Sequence, residues 1–141
     1  MNRLEQEVRH VMAERNAGLS PSDQAAMRDL LDHEREQTMS LVTSLRSDWE
    51  DIVETSALVG ADDEHDPEGS STAFERAHIQ SLLDQAHARL VDLAHALERL
   101  RDGTYGACEG CGRRIDLERL RARPAARTCI TCAAGGRRRT P

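Results

Sequence analysis

The clearest pattern in the chain is a row of apolar residues in its second half. Their separations alternate between four and three residues, which is the a/d register of a coiled coil over three heptads. A seam this narrow needs one partner helix, so the pattern predicts a long helix packed against another helix. The seam consists of Ile79, Leu83, Ala86, Leu90, Leu93, Leu97 and Leu100.

The partner helix is predicted upstream of this seam. Ser20 is a suitable N-cap, Pro21 fits the first helical position, and Asp23 lies three residues after the cap. Polar residues interrupt the apolar stripe that follows, and Glu34 stands where an apolar residue would fit best. Two such helices joined by a short linker should fold back antiparallel. The predicted stripe is Met27, Leu30, Leu31, Thr38, Leu41, Leu45, Trp49, Ile52, Ser56 and Val59.

Residues 2–16 predict a shorter helix, with apolar side chains on one face at Leu4, Val8, Val11 and Met12. The predicted fold class is therefore mainly α: a long antiparallel coiled-coil hairpin with a small globular end. The predicted divisions are an N-terminal helix near the globular end (1–19), the hairpin (20–101) with its acidic tip (60–72), a cysteine-rich module (102–134) and a basic disordered tail (135–141).

Composition supports helices packed on aliphatic side chains. The chain has 141 residues, of which 38% are hydrophobic and only 2% aromatic, too few aromatics for a broad globular core. No apolar run approaches the ~20 residues of a membrane span. The N-terminus also lacks the apolar core of a signal peptide. These features predict a cytoplasmic protein that does not contact membranes.

Charge is unevenly distributed along the chain. Residues 47–75 contain ten acidic residues and no arginine, whereas residues 101–141 contain ten arginines and four acidic residues. This polarity predicts two separate contact surfaces. An acidic loop is often only a solvated turn, here shaped by Pro67 and Gly69. The acidic side chains of the predicted tip are Asp62, Asp63, Glu64, Asp66 and Glu68.

Four cysteines form the strongest chemical signal. Cys108 and Cys111 form one C-x2-C pair, Cys129 and Cys132 form another, and 17 residues separate the pairs. This is the spacing of a four-cysteine zinc site, and reduced cytosolic thiols favour metal over disulfides. The alternatives are disulfides or an iron–sulfur cluster. Four thiolates would close the coordination sphere, so we predict one structural Zn²⁺ and no metal-centred catalysis.

The residues around the cysteines resemble a known family. The segment from Tyr105 to Cys132 reproduces Y-G-x-C-x-x-C-G-x-x-I-x-x-x-R-L-x-A-x-P-x-A-x-x-C-x-x-C. This pattern is similar to the zinc finger of the DksA/TraR family of bacterial transcription regulators. The resemblance implies binding to RNA polymerase, with the coiled coil inserted into the secondary channel and the tip near the catalytic centre.

The resemblance also implies roles for particular residues. Asp63 and Asp66 match the two aspartates of the family's D-x-x-D-x-A tip, while Glu68 stands at the alanine position. Arg119 and Arg123 are the implied contacts of the finger and the polymerase. Of the basic positions used by members that respond to guanosine tetraphosphate, only Arg123 is kept, and Asp92 and Ala133 stand at the others.

The alternative function is nucleic-acid binding through the arginine-rich C-terminus, because arginines can neutralise phosphates. Four thiolates around zinc would offset part of that positive charge, and no helix is predicted to present base-reading side chains. Sequence-specific DNA binding is therefore not expected. The chain shows no nucleophile–base pair and no pocket, so no enzymatic activity is predicted. It is also predicted to be a monomer.

Overall fold

A computed structural model describes residues 2–8, 19–58 and 67–135. Residues 3–8 are helical, and the mainly α fold with two long helices is confirmed. Within the described ranges the only bridge between extended segments joins Ala107 and Arg114. None of the helices in these ranges combines the length and apolarity needed to cross a bilayer. The helices are α1 (Pro21–Leu58), α2 (Pro67–Asp102), α3 (Leu117–Ala122) and α4 (Ile130–Gly135).

Helix α1 begins where the sequence predicts. The Ser20 hydroxyl accepts a hydrogen bond from the Asp23 backbone N–H at 3.1 Å, which satisfies one of the free donors of the first turn. Pro21 occupies the first helical position, where its missing N–H costs nothing. The predicted N-cap is therefore confirmed.

Helix α2 begins earlier than predicted. The predicted tip, residues 60–72, was expected to include a turn shaped by Pro67 and Gly69, but both residues belong to the first turn of α2. Proline favours the first position of a helix because its fixed φ is already helical, so Pro67 starts the helix. Glu68 is also in this first turn. Four of the predicted tip residues lie outside the described residues: Asp62, Asp63, Glu64 and Asp66.

The chain divides into two compact units. We call Arg35–Val91 the paired-helix unit, because it consists of the second part of α1 and the first part of α2. We call the other the cysteine unit, and it comprises Met1–Glu34 together with Asp92–Pro141. The predicted domain boundaries remain predictions, and most of the predicted tail, residues 136–141, lies outside the described residues.

The paired-helix unit has a small core contributed by both helices. The Arg76 guanidinium lies 5.3 Å from the centre of the Trp49 ring. Residues earlier in α1 pack with residues later in α2, so the helices run antiparallel within this unit. The buried residues are Val42, Leu45, Leu83 and Ala86, and the half-buried residues packed against them are Ile79, Leu82 and Leu90.

The predicted stripe of α1 is wrong at Leu41 and at Ser56, which are exposed, and its last residue, Val59, lies outside the described residues. Leu41 is 50% exposed, whereas its neighbour Val42 is 7% exposed. Val42 lies seven residues before Trp49 and so shares its heptad position, while Leu41 is rotated about 100° around the helix. A similar difference occurs in α2, where Ala96 is buried and the predicted seam residue Leu97 is only half-buried.

The core of the cysteine unit draws on helices and loops together. Its half-buried neighbours include Leu19 and Leu97. Residues 2–8 are all exposed, so the predicted packing of the N-terminal helix remains a prediction, and Val11 and Met12 lie outside the described residues. The buried core residues are Met27, Leu31, Leu93, Ala96, Leu100, Tyr105, Cys108, Ile115 and Leu120.

Candidate metal centre

The chain reverses direction directly after α2. Gly103 has a φ of +77°, the left-handed conformation that commonly ends a helix and that glycine adopts without a steric penalty. The Arg99 carbonyl then accepts hydrogen bonds from the backbone N–H groups of Thr104 and Tyr105, at 2.9 and 3.1 Å. This turn directs the following residues back alongside α2.

The first cysteine pair lies in a tight backbone loop. The Cys108 N–H donates to the Arg113 carbonyl at 2.7 Å, and the Ile115 N–H donates to the Gly106 carbonyl at the same distance. Gly110 lies between the two cysteines of this pair. A Cβ at Gly110 would come within 3.0 Å of the Cys132 Sγ, so a side chain there would crowd the opposite cysteine pair.

The second cysteine pair surrounds the start of α4. The Cys132 N–H points to the Cys129 Sγ at 3.4 Å, and the Cys129 N–H points to the Cys108 Sγ at 3.2 Å. The Glu109 N–H donates to the Arg127 carbonyl at 2.8 Å. The bonds from Cys129 and Glu109 join the two pairs, although 17 residues separate them in the chain.

The four predicted ligands are brought together. The Sγ atoms of Cys108, Cys111, Cys129 and Cys132 all lie within 4.8 Å of one another. The Cys111 and Cys129 sulfurs are 3.8 Å apart, and sulfurs about 2.3 Å from a tetrahedral zinc would be about 3.8 Å apart. The arrangement and the donor set fit one structural Zn²⁺ that holds the two pairs together.

The surroundings of the thiols change their pKa values in opposite directions. Burial acts to raise the pKa of Cys108, but hydrogen bonds from the backbone N–H groups of Cys129, Cys111 and Gly110 outweigh it and lower that pKa to about 6. Hydrogen bonding with Cys129, Cys111 and Cys108 raises the pKa of Cys132 to about 12. A zinc ion held by the four sulfurs would stabilise all of them as thiolates.

Tyr105 anchors the segment between the cysteine pairs to the core. Its hydroxyl donates to the Pro124 carbonyl at 2.7 Å and lies 3.6 Å from the Met27 sulfur in α1. Burial raises the pKa of Tyr105 to about 12; Arg99 acts in the opposite direction and Glu34 adds to the rise. Tyr105 therefore stays neutral and hydrogen-bonded over the physiological pH range.

The two predicted contact arginines have different surroundings. The Arg119 Nε donates to the Thr128 carbonyl at 3.0 Å, so this half-buried side chain ties α3 to the residue before Cys129. Arg123 follows α3 and is exposed. Arg119 therefore supports the finger itself, while the Arg123 guanidinium is accessible to a partner. Their role towards polymerase remains a prediction.

Sequence reasoning missed a polar cluster between α2 and the first cysteine pair. The His95 Nε2 lies 2.7 Å from the Glu109 Oε1. Arg99 Nη1 lies 3.5 Å from the same carboxylate oxygen. The hydrogen bond from His95 lowers the pKa of Glu109 against the opposing effect of burial, and Arg99 lowers it further. No spacing rule links positions 95 and 109, so only the folded chain reveals the cluster.

Comparison with known proteins gives the same picture for the finger and the fold. The family model of the prokaryotic dksA/traR C4-type zinc finger matches residues 103–135. The solved structure of transcription factor DksA2 from Pseudomonas aeruginosa is similar, with a TM-score of 0.73 and 27% sequence identity. That similarity covers 87% of this chain and 89% of the other.

Several curated proteins are also similar in sequence. An uncharacterised protein of Aquifex aeolicus is 33% identical over 106 residues, which are 75% of this chain and 61% of that protein. General stress protein 16O of Bacillus subtilis is 32% identical over 57% of this chain and 50% of its own length. The RNA polymerase-binding transcription factor DksA of Escherichia coli K12 is 37% identical over 35% of this chain and 32% of its own. The chain thus spans less than two thirds of these curated relatives.

Proposed function

Because the chain belongs to the DksA/TraR family of C4-type zinc-finger proteins, we propose that it is a transcription regulator that binds bacterial RNA polymerase. In this proposal it acts in the cytoplasm as a monomer and is not an enzyme. The observation that carries the proposal is the likeness to DksA2 over 87% of the chain, together with the match of its finger to the family model.

The finer part of the proposal concerns how the protein acts. The paired helices would enter the secondary channel of the polymerase and carry the acidic tip towards the catalytic centre. Asp63 and Asp66 would act there on initiation complexes, since clustered carboxylates suit basic groups or the surroundings of a Mg²⁺ ion. Support comes from the sequence, in which ten acidic residues and no arginine occupy positions 47–75.

Arg119 and Arg123 would have separate roles in this proposal. Arg119 would hold the finger in shape, because its guanidinium already bonds to the Thr128 carbonyl. Arg123 would contact polymerase directly, because its side chain is exposed.

Nucleic-acid binding is supported less well by the described arginines. Arg119 bonds to the backbone of its own finger, Arg121 pairs with Glu118 at 2.9 Å, and Arg127 lies 3.4 Å from Asp92. Phosphate binding by these side chains would have to compete with those internal contacts. The helices of the finger, α3 and α4, are also only six residues long each.

The polymerase proposal is tested by binding of the zinc-loaded protein to purified bacterial RNA polymerase. We expect saturable binding that Arg123→Ala weakens and that Arg28→Ala, an exposed arginine of α1, leaves unchanged. A mobility shift with duplex DNA is run alongside at increasing salt. Absence of polymerase binding would refute the proposal, and salt-sensitive DNA binding in its place would support the alternative.

The role of the tip is tested at matched polymerase occupancy. We expect Asp63→Asn combined with Asp66→Asn to keep the fold and most of the affinity but to abolish the change in open-complex lifetime or initial transcription. Asp48→Asn combined with Asp51→Asn is the matched control, because these exposed carboxylates lie in the same acidic segment on α1. Equal transcriptional effects of the wild type and the tip variant would show that the tip is only a solvated turn.

A further inference from the structure

One face of α2 runs beside the first cysteine pair. Asp92, His95 and Arg99 are spaced three and four residues apart, so they share this face. All three contact residues of the finger, namely Arg127, Glu109 and the backbone after α2. The function proposed above assigns nothing to this face.

Arg99 makes the most extensive contacts. Its Nη2 donates to the carbonyls of Thr104 at 3.0 Å and Ala107 at 2.5 Å, and its Nη1 lies 3.5 Å from the Glu109 carboxylate. Only 11% of the Arg99 side chain is exposed. Ala107 and Glu109 flank Cys108, so a single guanidinium fixes the chain on both sides of a zinc ligand.

Glu109 connects α2 to both cysteine pairs. Its carboxylate accepts from His95 at 2.7 Å and faces Arg99. Its backbone N–H donates to the Arg127 carbonyl, two residues before Cys129. A displacement of Glu109 therefore alters the spacing of the two pairs as well as the position of Cys108.

We propose that Arg99 and Glu109 are positioning residues of the zinc site, which hold the first cysteine pair against α2 in the geometry that retains the metal. Side chains that orient metal ligands without touching the metal commonly change metal affinity by about 10- to 100-fold when they are substituted. The planar guanidinium suits this task because it donates in several fixed directions at once, which an ammonium group cannot match.

The proposal does not depend on the third contact of this face. Asp92 and Arg127 are 3.4 Å apart, and their side chains are about half exposed. An exposed pair of this kind contributes little because water screens it and both side chains lose rotational freedom. Removing the Asp92 carboxylate should therefore leave zinc retention unchanged, so Asp92→Asn serves as an internal control.

The test measures the rate at which the full-length, zinc-loaded protein transfers zinc to an excess of a chromophoric chelator. We expect Arg99→Lys, which keeps the charge, and Glu109→Gln, which keeps the shape, each to accelerate release roughly 10-fold. The double variant should accelerate release by less than the product of the two single effects, because both substitutions break the contact between Arg99 and Glu109. Glu109→Gln changes a residue that is 38% exposed, so it remains informative if Arg99→Lys fails to fold.

Control variants separate positioning from general stability. Glu98→Gln and Arg101→Lys change exposed neighbours on α2, and Leu83→Ala weakens the other unit. All three should release zinc at the wild-type rate. The proposal is overturned if Glu109→Gln releases zinc at the wild-type rate, if Leu83→Ala accelerates release as much, or if the effects of the two single substitutions multiply in the double variant.

Discussion

The two units bury their apolar residues to different extents. In the cysteine unit Leu31 and Leu93 are fully enclosed, and Ile115 and Leu120 are only 1% exposed. In the paired-helix unit the buried residues retain 5 to 7% exposure. Two helices cover a side chain from two directions only, whereas the finger adds loops and short helices on further sides. The same seam pattern thus gives a closed core only where a third element covers it.

The chain carries a natural spectroscopic probe in each unit. Trp49 is the only tryptophan and lies in the paired-helix unit, while Tyr105 is the only tyrosine and lies in the cysteine unit. Fluorescence of Trp49 and ultraviolet absorbance of Tyr105 therefore report on the two units separately.

Loss of zinc should have the largest effect, and it should fall on the cysteine unit. Removing the metal with a chelator, or replacing Cys111 with Ser, removes stabilisation on the order of 10 kcal/mol, because metal binding and folding are coupled in such sites. We expect exposure of Tyr105 and fast amide hydrogen exchange across residues 103–135.

Helical circular dichroism and Trp49 fluorescence should change far less on zinc loss, because the paired-helix unit contains no zinc ligand. Re-addition of zinc to the chelated wild type is the control and should restore the Tyr105 signal. Equal loss of both signals would mean that the two units unfold together, which would contradict the expectation that zinc stabilises mainly the cysteine unit. Metal analysis that finds no zinc in the purified protein would contradict the site itself.

Truncation of seam leucines should cost more in the cysteine unit. Leu93→Ala leaves a cavity in a closed core and should lower the free energy of unfolding by about 4 kcal/mol, whereas Leu83→Ala next to solvent should lower it by about 2 kcal/mol. Urea unfolding followed by helical circular dichroism measures both. Replacing Leu93 with Asp should cost more still, because an unpaired charge would be buried.

The half-buried Leu90 provides a graded check, since Leu90→Asp can keep its carboxylate near water and should cost less than Leu93→Asp. Equal costs for Leu83→Ala and Leu93→Ala would show that the difference in exposure has no energetic meaning.

The buried hydroxyl of Tyr105 should make a smaller contribution to the free energy of unfolding, and this contribution should depend on pH. Tyr105→Phe leaves the Pro124 carbonyl without its partner and should cost about 1–3 kcal/mol. The pKa of Tyr105 is raised to about 12 in the folded protein, above the ordinary value of about 10. This contribution is therefore complete below about pH 10 and is lost as the pH rises through 12.

Absorbance titration of the single tyrosine measures this pKa directly in the zinc-loaded protein. A midpoint near 10 would contradict the burial of the hydroxyl. The free energies of unfolding of Tyr105→Phe and wild type should become equal as the pH rises through 12. A constant difference between them at all pH values would contradict the link between the ionisation of Tyr105 and stability.

The contact between Arg76 and Trp49 should have the smallest effect. Arg76→Gln removes a cation–π interaction at a solvent-exposed site and should cost about 0.5–1 kcal/mol. Trp49 fluorescence should shift, while the Tyr105 absorbance stays the same. Arg46→Gln, an exposed arginine one turn before Trp49, is the matched control. A Tyr105 response to Arg76→Gln would show coupling that the separate cores do not predict.

Much of the fold could be predicted because its determinants are local or periodic. The heptad spacing of α2, the cap at Ser20 and the cysteine spacing each reflect geometry that repeats wherever these residues occur. The prediction that Leu41 rather than Val42 faces the partner helix was wrong, because adjacent apolar residues fit a helical stripe almost equally well. Only contact with the partner helix decides which one faces inward.

The contacts around the zinc site could be predicted only in part. The spacing of the four cysteines predicts the zinc ligands. The hydrogen bonds from Arg99 to two carbonyls cannot be predicted in this way, because they depend on how the chain turns at Gly103. His95 and Glu109 are 14 residues apart with no shared motif, and their hydrogen bond exists only after that turn. Residues that support a metal site by bonding to backbone groups near its ligands cannot be recognised from a single sequence, because no spacing pattern marks them.

The contact of Tyr105 with Met27 also bears on the order in which the chain assembles. These residues are 78 positions apart, whereas Trp49 and Arg76 are 27 apart. Closing the longer loop from an open chain costs more entropy, but prior pairing of the two helices shortens the loop that remains. The two helices should therefore pair before Tyr105 contacts Met27. Substitutions at Tyr105 should then mainly speed unfolding and leave the folding rate almost unchanged.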